Sequence, residues 1–307
     1  MSKWKLKLVV QKTISFLPYK NKINLLFQKY VTKGVDLNDE HFGNKITHAR
    51  DHLNYLLKYK RSTNQLCLEL GTGWYPIVPI ALFLNGVPEI HTIDISALLN
   101  QQTFKDTLKK YIEWDKQGKL SAFLPQLVED NWTTLLKTYE EIDSMTLEEV
   151  LQVFKIKSAV GDARNMEYPD NTFDFICSNN TFEHVYPEVL KDILIEFKRV
   201  VKTDGGLMSH FIDMSDHFAH YDKSITIYNF LKYSERQWNL MDNSIQPQNR
   251  WRLVQFKDLY KELGIKMVEE VIWETKAAAL DTIKVAPMFE KYSRAELAVC
   301  HAYLISG

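Results

Sequence analysis

Along the chain, short apolar runs alternate with longer stretches in which apolar residues recur every three or four positions. The short runs predict strands: Leu66-Cys67-Leu68-Glu69-Leu70, Ile90-His91-Thr92-Ile93, Ser158-Ala159-Val160, Phe173 to Ser178, Leu207 to Ile212, about 265–273, and Ala298 to Ile305. Leu190, Ile193, Leu194, Phe197, Val200 and Val201 mark one face of a helix that Gly205-Gly206 closes. Pro76 to Leu84 predicts another, with its prolines in the first turn, where a missing N–H costs least. Strands alternating with helices imply βαβ units, hence a mainly parallel sheet with right-handed crossovers. Residues 1–62 read as a helical N-terminal arm: a basic helix, a break near Pro18, a segment around Ile23 to Tyr30, and a third helix from about Ile46 to Tyr59. The core domain is expected over 63–307, with cap insertions at about 97–157 and 213–252, both too long to be plain connectors.

A chain of 307 residues with 45% hydrophobic and 25% charged positions has the composition of a globular protein with a sizeable core. Its formal net charge of -1 disfavours a nucleic-acid partner, because phosphate binding usually shows as a basic domain. Cys67, Cys177 and Cys300 each sit in an apolar run without disulfide or zinc-finger spacing, so a reducing cytoplasm is the expected compartment. The first acidic residue is Asp36. Before it, eight lysines from Lys3 to Lys33 interleave with Trp4, Leu6, Leu8, Val9, Ile14, Phe16 and Leu17. That pattern suits a basic helix packed on its own domain, and alternatively peripheral contact with an anionic membrane. The apolar run is short and broken by Lys12 and Pro18, unlike a cleaved signal.

Chemistry collects at the predicted strand ends, where open parallel sheets bind ligands. Gly71-Thr72-Gly73 follows the first strand, and its glycines allow backbone to approach a ligand closely. A dinucleotide fingerprint would need a further glycine where Pro76 stands. Glu69 would repel a phosphate but can accept hydrogen bonds from an ammonium group. Asp94, followed by Ile95, ends the second strand, where a carboxylate can accept from both ribose hydroxyls. Asp162 and Ala163 end the third strand, and Asn179 and Asn180 the fourth.

In their order and spacing, Glu69 to Gly73, Asp94, Gly161-Asp162-Ala163, Phe173 to Val185 and Phe197 to Gly206 resemble the motifs of the class I S-adenosylmethionine-dependent methyltransferases, particularly their broad small-molecule group. The resemblance covers about 60–212. It implies a Rossmann-like, doubly wound α/β sheet of seven strands, mainly parallel with an antiparallel last strand. It implies S-adenosylmethionine as cofactor, held by Glu69, Gly71, Thr72, Gly73, Asp94, Ile95, Asp162, Ala163, Asn179 and Asn180. Trp74-Tyr75-Pro76 is bulkier than the family pattern, and the insertion after Asp94 is longer.

Methyl transfer to a hydroxyl needs a base, and the candidates are His184, after the fourth strand, and His210 with Asp213, at the end of the fifth. His210, Asp213, Asp216, His217 and His220 form a dense local run that could ligate a divalent metal; no metal is assigned, because sequence neighbours need not converge. The aromatics and arginines between Phe218 and Arg252 could line an acceptor site or fill a cap core. The expected activity is O-methylation of a small molecule or saccharide. The alternatives are N-methylation of a small molecule, RNA or protein, and a non-catalytic cofactor-binding partner subunit. Asn179-Asn180-Thr181-Phe182 stands where nucleic-acid amino methylases carry an Asn-Pro-Pro-aromatic tetrad.

Overall fold

The structure, a computed structural model, describes residues 2–18, 36–244 and 246–307. Its elements in chain order are α1 (Lys3–Ile14), α2 (Asp39–Lys60), β1 (Leu66–Leu70), α3 (Ile77–Leu84), β2 (Glu89–Asp94), α4 (Gln101–Lys116), α5 (Glu129–Glu141), α6 (Leu147–Val153), β3 (Ile156–Val160), β4 (Phe175–Asn179), α7 (Pro187–Val200), β5 (Leu207–Asp213), α8 (His217–Tyr221), α9 (Glu235–Met241), α10 (Leu253–Glu262), β6 (Met267–Thr275), α11 (Ala277–Leu280), α12 (Arg294–Ala298) and β7 (Val299–Ser306), joined by turns and short 3-10 segments. The strands form one seven-stranded mixed sheet in the order β3-β2-β1-β4-β5-β7-β6, its last strand antiparallel. All seven expected strands are present. The expected helical segment around Ile23 to Tyr30 lies outside the described residues.

The chain divides into two compact units, and the division cuts across the expected arm. Among the described residues, the first comprises 2–18, 36, 180–191, 211–244 and 246–304; the second comprises 37–179, 192–210 and 305–307. Within the second unit, β1 pairs in parallel with β2 and β4, and β2 with β3. Helix α3 of this unit is apolar all round, and all eight residues are buried, so it needs cover on every side. The insertion after Asp94 provides that cover. Phe154 packs on Phe83 and Phe104 at ring separations of 5.0 and 5.1 Å, Tyr111 Oη donates to the Ile77 carbonyl at 2.7 Å, and Asn131 Nδ2 donates to that of Phe83 at 2.6 Å. The stretch read as a cap is therefore a packed layer of this unit. Arm residues 39–60 join it as α2, whose N-terminus is capped by Asn38 accepting from the His41 N–H at 2.8 Å.

Within the first unit, α1 buries Trp4, Gln11 and Ile14. The Trp4 backbone N–H donates to Asp222 Oδ2 at 3.0 Å, its ring lies 6.0 Å from that of Phe218, and Gln11 Nε2 donates to Gln246 Oε1 at 3.0 Å. The basic helix thus has a packed face of its own, while Leu6, Val9, Phe16 and Leu17 remain exposed. Tyr228, Phe230, Leu231, Trp238, Leu280 and Phe289 share an apolar cluster in this unit, so much of the aromatic stretch after Asp213 is core. Arg252 is fully buried, its guanidinium donating to the carbonyls of Met214 at 2.6 Å, Leu297 at 3.1 Å and Val299. Among the described residues, no helix is long and apolar enough to cross a membrane.

Candidate functional site

In the second unit, the tip of β1 runs into a turn in which Gly71 and Gly73 take φ of 83° and 67°. A side chain at Gly73 would meet nothing within 4 Å, so the requirement for glycine there comes from the backbone angle alone. The Gly71 N–H donates to the Ile93 carbonyl at 2.8 Å, tying the turn to β2. Asp94, ending β2, accepts from the Gly73 N–H at 3.0 Å and from the Ser96 N–H at 2.9 Å. The carboxylate therefore sets the turn and still has lone pairs for hydroxyl donors. Beside it Ile95 is 75% exposed, an apolar face standing open next to a polar anchor.

Glu69 is buried, its Oε2 without a hydrogen-bond partner, and Thr72 Oγ1 is buried in the same condition. Burial pushes the Glu69 pKa from 4.5 up to about 8, with Lys45 opposing, the Asp94 charge adding, and a hydrogen bond from Asn179 opposing. A buried acid with an orphaned oxygen is costly unless a ligand completes it. An ammonium group would do so. The orphaned oxygen, the orphaned hydroxyl, the Asp94 lone pairs and the open Ile95 face suit the amino-acid, ribose and adenine parts of S-adenosylmethionine.

Asn179 is held from behind. Its Oδ1 accepts from Nε2 of the fully buried His52 at 2.8 Å, and His52 Nδ1 accepts from Ser209 Oγ at 2.8 Å. Burial lowers the His52 pKa to about 4, so the ring is neutral. Nothing local in the sequence marked His52, since it is separated from Asn179 by 127 residues. Asp162 carries a bidentate pair with Arg164, whose Nε and Nη2 lie 3.0 and 2.6 Å from its oxygens, and this pairing lowers its pKa. Ala163 beside it is buried.

His210 requires a correction as a base. It is fully buried, stacks on Phe197 at 5.7 Å, and bonds through Nδ1 to Ser178 Oγ at 2.8 Å. Burial, with a smaller contribution from His52, lowers its pKa to about 3. It is a packing histidine of β5, because alternation along a strand buried on both faces turns it inward.

The other expected site residues belong to the first unit. Asn180 takes φ of 49°, and its N–H donates to the Phe211 carbonyl at 3.2 Å. His184 Nδ1 donates to the Pro247 carbonyl at 2.7 Å, which fixes the tautomer with the lone pair on Nε2. Asp213 gathers three histidines: His217 at 3.4 Å, His220 at 3.7 Å and His301 at 3.1 Å. Burial raises its pKa, but the three imidazoles around it outweigh burial and hold the carboxyl well below its ordinary range. For His301, burial lowers the pKa, and the hydrogen bond to Asp213 and the surrounding charges outweigh it, lifting the value to about 10. Glu274 Oε2 lies 2.7 Å from His301 Nδ1. Neither His301 nor Glu274 was expected at a site. A lone polar residue within the apolar run of β7 was the available signal for His301.

The family model described as a methyltransferase domain matches residues 126–209, from before α5 into β5. That match spans about a quarter of the chain and includes the segment of the fourth strand. No curated protein matches the chain. Among solved structures it is similar to a protein of Pyrococcus horikoshii OT3 at 17% identity, covering 92% of this chain and 97% of that one with a TM-score of 0.48. It is also similar to S-adenosylmethionine-dependent methyltransferases of Methanosarcina mazei (12% identity, 82% and 95% covered, TM-score 0.44) and Aquifex aeolicus (13% identity, 88% and 98% covered, TM-score 0.40).

Proposed function

We propose that this methyltransferase transfers the methyl group of S-adenosylmethionine to a hydroxyl of a small molecule or saccharide. The observation that carries the cofactor placement is the strand-tip set in the second unit, where a buried, orphaned Glu69 stands beside an Asp94-anchored glycine turn. Glu69 pairs with the cofactor's ammonium, Asp94 receives the ribose hydroxyls, and Ile95 and Ala163 pack against the adenine. Asn179, oriented by His52, keeps the Glu69 carboxyl in place. Asp162, sharing its carboxylate with Arg164, bounds the same cofactor.

When bound, the sulfonium supplies a methyl group already activated for displacement. The chain must then orient the acceptor and remove its proton. His184 is the proposed base, because its Nδ1–H donates to the Pro247 carbonyl, which makes Nε2 the basic nitrogen of the neutral ring. Asp213 orients the neighbouring imidazoles of the first unit. Acceptance of a hydroxyl rather than an amine is supported by this concentration of imidazole and carboxylate. An assay of S-adenosylhomocysteine release over a panel of sugars, phenols, alcohols and amines tests the reading. Turnover with hydroxyl acceptors, reduced roughly 10²-fold or more by His184→Ala, supports it. Turnover with amines alone, or full activity in His184→Ala, overturns it.

A further inference from the structure

Asp213 is surrounded by more imidazole than one proton transfer requires, and its two oxygens are used differently. Oδ1 accepts from the Ser215 N–H at 2.8 Å and lies 3.1 Å from His301 Nε2, so it is fixed from one side. Oδ2 is thereby presented to Nε2 of His217 at 3.4 Å and Nε2 of His220 at 3.7 Å. Both separations exceed an ordinary hydrogen bond; His217 Nε2 is buried without a hydrogen-bond partner, while His220 Nε2 lies 3.0 Å from Ser215 Oγ, a contact that an ion would replace. One donor atom from each of Asp213, His217 and His220 lies within 4.8 Å of the other two.

Those spacings match a shared ion. A tetrahedral metal with bonds of about 2.1 Å sets its ligand atoms ~3.4 Å apart. His217 and His220 are three residues apart on α8, so one face of that helix offers both rings. Outer-sphere support is also in place, since Ser215 and His301 hold the ligand carboxylate at its far oxygen, and such partners tune metal ligands.

We propose that Asp213, His217 and His220 form a binding site for a divalent transition metal, Zn²⁺ being the ion that fits best. Two imidazoles and one carboxylate favour Zn²⁺, Fe²⁺ or Co²⁺ over Mg²⁺ or Ca²⁺, which prefer oxygen donors. Three protein ligands leave a position open to water or to an oxygen ligand, the pattern of a catalytic rather than a structural zinc. The inference goes beyond the acceptor assignment and does not depend on it, because metal binding is read with neither cofactor nor acceptor present.

The test uses the full chain, stripped with chelator, dialysed, and titrated with Co²⁺ and then Zn²⁺. Co²⁺ should bind with one-to-one stoichiometry, give the visible absorption of a four-coordinate ion, and be displaced by Zn²⁺. His220 is the most exposed ligand, its side chain 53% accessible, so His220→Ala should keep the far-UV circular dichroism and cooperative melting of the parent. It should weaken binding at least tenfold, His217→Ala should do the same, and Cys300→Ser should leave binding intact. No stoichiometric Co²⁺ binding overturns the proposal. So does equal binding by the parent and His220→Ala, or loss of binding in His184→Ala but not His220→Ala, which would move the ion to the neighbouring Glu183, His184 and His217 set.

Discussion

Glu69 makes the buried end of β1 a measurable quantity. Its pKa rises from 4.5 to about 8 because the carboxyl is taken out of water with one oxygen unpaired. At about 1.4 kcal/mol per pH unit, that rise corresponds to a ceiling of ~5 kcal/mol between its protonated and ionised forms. The folded value lies above the unfolded one. Stability from this group is therefore complete below pH 4.5, falls as pH climbs through the interval, and levels off above about 8. Glu69→Gln keeps the shape and stays neutral throughout. The variant should match the parent near pH 4.5 and become progressively the more stable of the two up to pH 8, by roughly 2 °C in Tm per pH unit for a chain of 307 residues. Thermal unfolding of both proteins across pH 4.5–8.5 (about five points) reads the difference. His52 and His210, whose lowered pKa values give the opposite slope below 6.5, are present in both proteins and cancel. The same acid should lose its proton when the ammonium of S-adenosylmethionine arrives. Calorimetry at pH 7 in buffers of different ionisation enthalpy should then show proton release by the parent and none from Glu69 in the variant. A Tm gap that stays constant with pH would refute the buried, uncompensated carboxyl on which the cofactor placement rests.

Asp94→Ala removes the acceptor that Gly73 and Ser96 share, together with the proposed ribose anchor. Titration calorimetry should show S-adenosylmethionine affinity reduced by roughly 10- to 100-fold, in line with losing charged hydrogen bonds; unchanged affinity removes Asp94 from the site. His210→Ala should cost about 2–4 kcal/mol, from a lost ring in the sheet and a stranded Ser178 hydroxyl. Its kcat against pH profile should keep the parental shape; an altered profile with an unchanged Tm would restore His210 as a base.

What the sequence disclosed follows the range of the interactions involved. Each strand is a local matter of apolar run and turn, so all seven were visible as runs, and Gly71, Gly73 and Asp94 were legible because turn and strand tip adjoin in the chain. Residue 210 shows where that reasoning fails. A histidine near a strand end looks chemical until the burial of both faces of β5 is known, and burial of the neighbouring layers is not encoded within the strand. The insertion after Asp94 is open to the same ambiguity in sequence: its amphipathic helices could face solvent or a partner, and the all-apolar α3 beneath them is what they pack on. Convergence across distant segments was the least visible. His52 reaches Asn179 across 127 residues, and Asp213 meets His301 and, through it, Glu274 from three separate strands. Those long-range partners determine whether a carboxylate at a strand end is solvated, paired or ready for a ligand. The strand-tip residues therefore carry the resemblance to methyltransferases by themselves, while the partners that tune them are brought together only by the fold.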